Sequence, residues 1–285
     1  MASVHTNVGA MLALQALNST SRELGTVQTR INTGLKVANA KDNGAVYNIA
    51  QQQRAEHLAL DAVRTGLDRA KSMADVALAA GEALSDVFMQ MRDKTVAASD
   101  PSISATSRAA YNNEFIALRD QVTSIINNAV FDGANLLNGT ATPFTFLANS
   151  TGTQTVSLPN LDLRLVADYA TAGPYPGTAI ALDVNDQLTD ATTSAQVRDR
   201  VAASLNFVNS ELARLGAAAK RVESHQIFLG KLQDAVKGGI GNLVDADLAG
   251  ESARLQSLQV KQQLGTQALS IANQAPQTIL SLFRN

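Results

Sequence analysis

Few residues of this 285-residue chain are spaced as chemistry would need them. It has three histidines, His5, His57 and His225, and no cysteine. None of the histidines falls in H-E-x-x-H, the spacing that puts two imidazoles on one helical face around zinc with a glutamate as base. Each reads as a solvated or packing residue. Asp245 and Asp247 are two apart and Glu251 follows. Carboxylates so placed can hold a cation, but acidic residues are also favoured at the positive end of a helix dipole, and that reading is adopted. Gly238-Gly239-Ile240-Gly241 has the glycine content of a phosphate loop, yet no Lys-Ser/Thr follows and no strand precedes it. It reads as a flexible joint. No catalytic constellation is left, so the expectation is a protein that is not an enzyme and has no metal and no cofactor.

Bulk properties narrow the partners. Net charge is −2 and the isoelectric point about 5.9, which leaves no positive excess to neutralise phosphates; no nucleic acid is expected. Aromatic residues are 4% and tryptophan is absent, so the core is expected to be aliphatic and the helices long and closely packed. The lack of cysteine fits either a reducing compartment or export of an unfolded chain. Residues 1–21 contain no Lys or Arg, so the basic segment of a secretory signal is missing. Residues 262–283 carry no charge either, but Gln262, Gln263, Gln267, Asn273, Gln274 and Gln277 argue against a membrane span. Ends that are uncharged yet polar-studded suit burial against other chains.

The elements that would position these residues are mostly helical. Ala10, Leu14, Leu17, Ser21, Leu24, Gln28, Ile31 and Leu35 recur at alternating spacings of four and three. A second, longer seam runs Leu60, Val63, Leu67, Ala70, Ala74, Ala77, Gly81, Leu84, Phe88 and Met91, where Ala and Gly admit a close neighbour. Asp100-Pro101 stops that helix, and Ser104 or Thr106 caps the next, with Tyr111, Phe115, Leu118, Val122, Ile125 and Ala129 in line. The period then changes. Asp132-Gly133 and Asn138-Gly139 mark turns, and Phe144/Phe146 and Leu161/Leu163/Leu165 alternate as half-buried strands do. Helical spacing resumes from Val197 to Val236, interrupted by Gln226 and Gln233. The last segment carries two stripes: Leu248, Leu255, Leu258, Leu269 and Ala272, and Ala253, Ser257, Val260, Leu264, Ala268 and Ile271. Two stripes on one helix require burial on more than one side. Pro276 should kink or break that helix. The fold class expected is mainly α: a long antiparallel helical rod of coiled-coil-like helices with a short β-rich central insert, in which a twisted hairpin is the expected topology.

Several stretches resemble bacterial flagellins. Val4-His5-Thr6-Asn7 with Ala13-Leu14-Gln15-Ala16-Leu17-Asn18 is similar to the family's opening. Arg30-Ile31-Asn32-Thr33-Gly34-Leu35-Lys36 through Ala40-Lys41-Asp42-Asn43-Gly44-Ala45 resembles its R-L-S-S-G…S-A-K-D-D-A-A segment. Phe131-Asp132-Gly133, Leu136-Leu137-Asn138-Gly139, Leu243-Val244-Asp245-Ala246-Asp247-Leu248-Ala249, Gln259-Val260-Lys261-Gln262-Gln263-Leu264-Gly265 and Ala268 through Phe283 extend the likeness, which has an alphaproteobacterial cast. It covers roughly residues 2–140 and 190–285 and leaves out the insert.

The resemblance implies a structural subunit of the flagellar filament, or, as the alternative, a hook–filament junction protein of the same superfamily. It implies export through the flagellar export apparatus with an export chaperone, growth under a filament cap, contact with hook-junction proteins, and a secreted, extracellular location away from any membrane. It places 1–42 and 243–285 in an inner tube, 43–130 and 189–242 in a helical shell, and 131–188 in an outer insert. Filament-core packing would then fall to Leu14, Leu17, Leu24, Ile31, Leu248, Leu255, Leu258, Leu264, Leu269, Ile271, Leu280 and Phe283. Shell packing would fall to Leu60, Val63, Leu67, Leu84, Phe88, Met91, Leu212, Leu215 and Val222. The patch that an animal immune receptor reads in this family is matched only partly by Met89, Gln90, Arg92, Asp93 and Lys94, which implies weak or absent activation in a reporter-cell assay. Thr140, Thr142, Ser150, Thr151, Thr153 and Thr155 read either as solvated loop residues or, by the resemblance, as O-glycosylation positions.

Overall fold

The computed structural model of the chain describes residues 6–139, 142–167 and 180–282, the last eight of these as backbone. Among the described residues the order is α1 (Val8–Thr33), α2 (Gly44–Ala98), α3 (Ala105–Asn128), β1 (Val130–Phe131), β2 (Ala134–Asn135), β3 (Phe144–Leu147), β4 (Thr155–Leu158), α4 (Ala191–Val244) and α5 (Leu248–Leu282). The chain is thus mainly helical, with two small antiparallel hairpins in the central insert. It forms two compact units, Leu58–Gln233 and Met1–His57 with Asp234–Asn285; α2 and α4 contribute to both.

Helix ends follow from local chemistry. Ser104 caps α3 by accepting from the Ser107 N–H at 3.1 Å. Asp190 caps α4, its Oδ1 accepting from the Thr193 N–H at 2.8 Å. These hydrogen bonds from Thr193 hold the Asp190 carboxyl below the usual carboxylate range. The α1 helix ends at Gly34, whose φ of 71° is left-handed and whose N–H returns to Arg30 O at 2.8 Å.

In the 58–233 unit every member of the long α2 seam, from Leu60 to Met91, is buried. It belongs to one core with Phe115, Val122 and Ile126 of α3 and Val197, Val201, Val208, Leu215, Val222 and Leu229 of α4. Gly81 leaves room for the Leu212 side chain, which an added Cβ there would force to shift. The glutamines that interrupt the α4 seam have partners. Gln226 Nε2 donates to Asp68 Oδ1 at 2.8 Å and Gln233 Nε2 to Asp61 Oδ1 at 3.4 Å. Donors seven residues apart on one helix meet acceptors seven apart on its antiparallel neighbour, and Ser85 meets Asn209 in the same register.

The insert packs its leucines under these helices. Asp132 and Gly133, with φ of 49° and 75°, form the tight turn between β1 and β2, where both central residues need positive φ. Buried Asn135 donates to Ile126 O at 2.6 Å and accepts from the Leu137 N–H at 2.8 Å, closing the end of α3. Strands β3 and β4 pair Phe144 with Leu158 through Leu147 with Thr155. His225 Nε2 must carry the proton in its 2.6 Å bond to Ala148 O, because a carbonyl only accepts. On the return, Arg200 pairs with buried Asp186 at 2.7 Å and Arg119 donates to the Asp186 carbonyl at 3.1 Å. Burial, the largest influence, pushes the Asp186 carboxyl up.

Three sequence expectations are corrected. Leu161, Leu163 and Leu165 are not in a strand of a sheet. Leu161 and Leu163 are buried and alternate with exposed Asp162 and Arg164, but the segment is held by single bonds, Leu161 N–H to Leu136 O at 2.7 Å and Leu163 N–H to Leu137 O at 3.0 Å. Gly238-Gly239-Ile240-Gly241 is not a joint: α4 runs through it to Val244. Glycine costs a helix about 1 kcal/mol per residue relative to alanine, and Ile240, Leu243 and Val244, packed with Val37 and Ala50, hold the turn in place. Pro276 does not break α5, which continues to Leu282.

Phe88→Ala empties a fully buried site and is expected to lower stability by about 3–5 kcal/mol. Ile227→Ala, on the exposed face of α4, is expected to change it by about 0.5 kcal/mol or less. Urea denaturation followed by circular dichroism measures both, and equal losses would contradict the core described.

Candidate assembly surface

The polar groups singled out from sequence hold structure together. Asp247 caps α5, accepting from the Ala249 N–H at 3.1 Å and the Gly250 N–H at 3.2 Å. Glu251 pairs with Arg30 of α1 at 2.9 Å, and Asp245 lies in an isolated bridge with Leu35. The link from α1 to α2 is tied to the link from α4 to α5: Lys36 N–H donates to Val244 O at 2.7 Å and Ala246 N–H to Gly34 O at 2.8 Å. Val37, Ala50 and Val244 form a small core beneath. His57 is half-buried, and His5 lies outside the described residues.

Beyond this clamp, α1 packs along α5 in antiparallel fashion. The inward set on α1 is Ala13, Leu17, Thr20, Leu24, Val27 and Ile31; on α5 it is Glu251, Leu255, Leu258, Gln262, Gly265, Leu269 and Ala272. Both sets keep strict alternation of three and four, the spacing of a two-stranded coiled coil. Only Val27 and Leu258 are fully buried; the rest of the seam is half-buried, because two helices alone cannot enclose it. Leu17 sits over Gly265, where an added Cβ would come within 3.3 Å of Leu17 Cδ1. At the start of α1, Asn7 Oδ1 accepts from the Ala10 N–H at 3.0 Å and Asn7 Nδ2 donates to Ala272 O at 2.8 Å.

The outer faces are apolar and uncovered. On α1, Val8, Met11, Leu12 and Leu14 are exposed and line an open groove with Gln15 and Asn18. On α5 the whole second stripe, Ala253, Ser257, Val260, Leu264, Ala268 and Ile271, is exposed; Leu264 is 57% and Ile271 68% accessible. Such contiguous apolar surface marks an interaction site.

The remaining residues of interest fall as follows. Leu17, Leu24, Ile31, Leu255 and Leu269 are half-buried in the seam, Leu258 is buried, and Leu14 and Leu248 are exposed. The Leu280 side chain and Phe283 lie outside what is described, as does Thr140. Leu60, Val63, Leu67, Leu84, Phe88, Met91, Leu215 and Val222 are buried and Leu212 is half-buried. Met89, Gln90, Arg92 and Asp93 are exposed on α2. Lys94 pairs with Glu114 of α3 at 2.7 Å, and that hydrogen bond raises the Lys94 pKa. Thr142, Thr151, Thr153 and Thr155 are exposed and Ser150 is half-buried. Asn7, Ala13, Thr20 and Val27 were missed from sequence. Asn7 carried a legible signal, since Asn just before the first periodic residue is a helix cap.

The chain is similar to known proteins over nearly all of its length. The chain matches the bacterial flagellin N-terminal helical region over residues 4–142 and the C-terminal helical region over 199–283. It is 46% identical to flagellin FljK of Caulobacter vibrioides, over 99% of this chain and 98% of that one. It is 36% identical to a flagellin of Brucella melitensis over the full length of both, and 34% identical to flagellin C of Rhizobium meliloti, again over both full lengths. Among solved structures, a protein described as flagellar hook-associated from Vibrio parahaemolyticus shares the fold at a TM-score of 0.57 and 13% identity, covering 72% of this chain and 100% of that one.

Leu264→Asp puts an unpaired charge on the exposed α5 stripe. It is expected to leave helix content unchanged and to raise the concentration needed for self-association about tenfold or more. Sedimentation and circular dichroism together read this; unchanged association would remove that stripe from the interface.

Proposed function

We infer that this chain, which belongs to the bacterial flagellin family, is a structural subunit that polymerises into the flagellar filament. The observation that carries the reading is the paired α1 and α5 with apolar surface left open on both helices. One partner helix covers one stripe of α5, and the second stripe has to be covered by other copies. Contacts of that kind are head-to-tail and give an open helical polymer. Ordering such segments costs about 1–2 kcal/mol per residue of backbone, and burial against several neighbours offsets it at about 25 cal/mol per Å².

The finer assignments extend the same reading. Residues 1–42 and 243–285 form the inner tube, 43–130 and 189–242 the shell, and 131–188 the outward insert. The chain leaves the cell unfolded through the flagellar export apparatus, guarded by a chaperone, adds beneath a cap, and functions outside the cell. The hook–filament junction alternative has support from fold likeness alone and predicts no long homopolymer. The exposed hydroxyls of Thr142, Thr151, Thr153 and Thr155 suit O-glycosylation; the intact mass of native filament subunits exceeds that of the bare chain if it occurs, and a bare-chain mass removes the idea.

Electron microscopy of full-length chain seeded with short filament fragments, beside a version lacking residues 243–285, tests the main reading. Long filaments from the full chain only are expected. A full chain that stays monomeric or stops at short rings would overturn the filament role in favour of the junction protein.

A further inference from the structure

The seam between α1 and α5 has a weakness. Its positions repeat every seven residues on both helices, with Thr20 and Gln262 as the polar interruptions between the two ends, so away from the backbone clamp of Gly34 and Lys36 on Val244 and Ala246 the register rests on a few discrete marks. One mark is the Arg30–Glu251 pair. It is incomplete as a fork, because Arg30 Nε and Glu251 Oε2 are buried without partners. Another is Leu17 seated over Gly265.

The third lies at the far end and uses the backbone. Inside a helix each carbonyl accepts from the N–H four residues on. Pro276 has no N–H, so the Ala272 carbonyl loses its helical donor. The α5 sequence contains no other proline, so only one interior carbonyl of the helix is freed in this way. The Asn7 side-chain amide donates to that carbonyl at 2.8 Å while its oxygen caps α1.

We propose that Asn7 and Pro276 together set the axial register of the terminal helix pair: the proline opens one acceptor on α5, and Asn7 reads it from the cap of α1. This rests on the filament reading only for its consequence. The register decides which exposed α1 residues stand beside which exposed α5 residues, and so the surface a neighbouring copy meets.

The absence of native cysteine allows a direct test on the full chain, polymerised with seeds. A Cβ built on Gly265 lies 3.9 Å from Leu17 Cβ, within disulfide range, so Leu17→Cys with Gly265→Cys reports the native register. Leu17→Cys with Leu258→Cys reports a one-heptad slip. Mild oxidation and non-reducing electrophoresis separate intrachain from interchain products. With Asn7 intact the native pair is expected to close and the slipped pair not. Asn7→Ser keeps the cap but loses the amide donor, and should raise the slipped product about fivefold, the effect of one net hydrogen bond. Pro276→Ala refills the carbonyl from within α5 and should raise it equally, and the double variant should add nothing further. Failure of the native pair to close, no rise in slipped product, a loss of native product without it, or additive effects in the double variant would each overturn the proposal. Microscopy of the cysteine-free chain with Asn7 and Pro276 intact reads filament growth separately. Absence of filaments from that unsubstituted chain would count against the subunit role, while the intrachain cross-links in the cysteine variants would still decide register.

Discussion

The rest of the structure depends on a geometric limit: a helix with two apolar stripes cannot bury both against one partner. The stripe of α5 that includes Leu255, Leu258 and Leu269 is turned to α1, and the stripe that includes Val260, Leu264 and Ile271 is left in solvent. The α1 helix shows the same excess at Met11, Leu12 and Leu14. The 58–233 unit differs because α2, α3 and α4 surround a shared core, and Leu67, Phe88, Phe115 and Val201 are fully buried within one chain. One unit is therefore complete as a monomer. The other leaves apolar residues of both helices exposed in the single chain.

Much of this was legible because coiled-coil helices keep a strict period. The α2 seam from Leu60 to Met91 could be read residue by residue, since its Ala and Gly positions fit a close neighbour, although Met73 and Val87 beside it are buried as well. On α1 the reading was ambiguous. Leu17, Leu24 and Ile31 were recognised, but apolar residues flank that line on both sides. The pairing takes smaller Ala13, Thr20 and Val27 and leaves the larger Leu14 outside. Hydrophobicity favoured Leu14; close approach of two helices favours the smaller side chains.

Other features were hidden because their meaning lies in a partner distant in sequence. Gln226 and Gln233 looked like defects in a seam until Asp68 and Asp61 supplied their acceptors. The glycines at 238–241 looked like a hinge until packing of Ile240 and Val244 outweighed their poor helix propensity. Leu161 and Leu163 show the opposite case. Their alternation in burial was legible, while the absence of a ladder was not, because an extended segment can bury alternate side chains with only isolated backbone bonds.

The antiparallel pairing also explains how charge is distributed along the two helices. Residues 1–21 and 262–283 lack Asp, Glu, Lys and Arg, and because α1 and α5 run in opposite directions the described parts of these stretches, 6–21 and 262–282, lie at the same end of the pair. The charges collect at the other end, where Arg30 meets Glu251 at 2.9 Å and Arg254 approaches Glu23 at 3.8 Å. An ion pair can mark register there. At the uncharged end it would have to be desolvated in the assembly, and a buried pair recovers that cost only with excellent geometry. A neutral amide donating to a backbone carbonyl gives a positional mark at much smaller desolvation cost, provided one carbonyl on the helix is free to accept. Pro276 frees that carbonyl, which is a reason for a proline to stand inside a helix that it does not break.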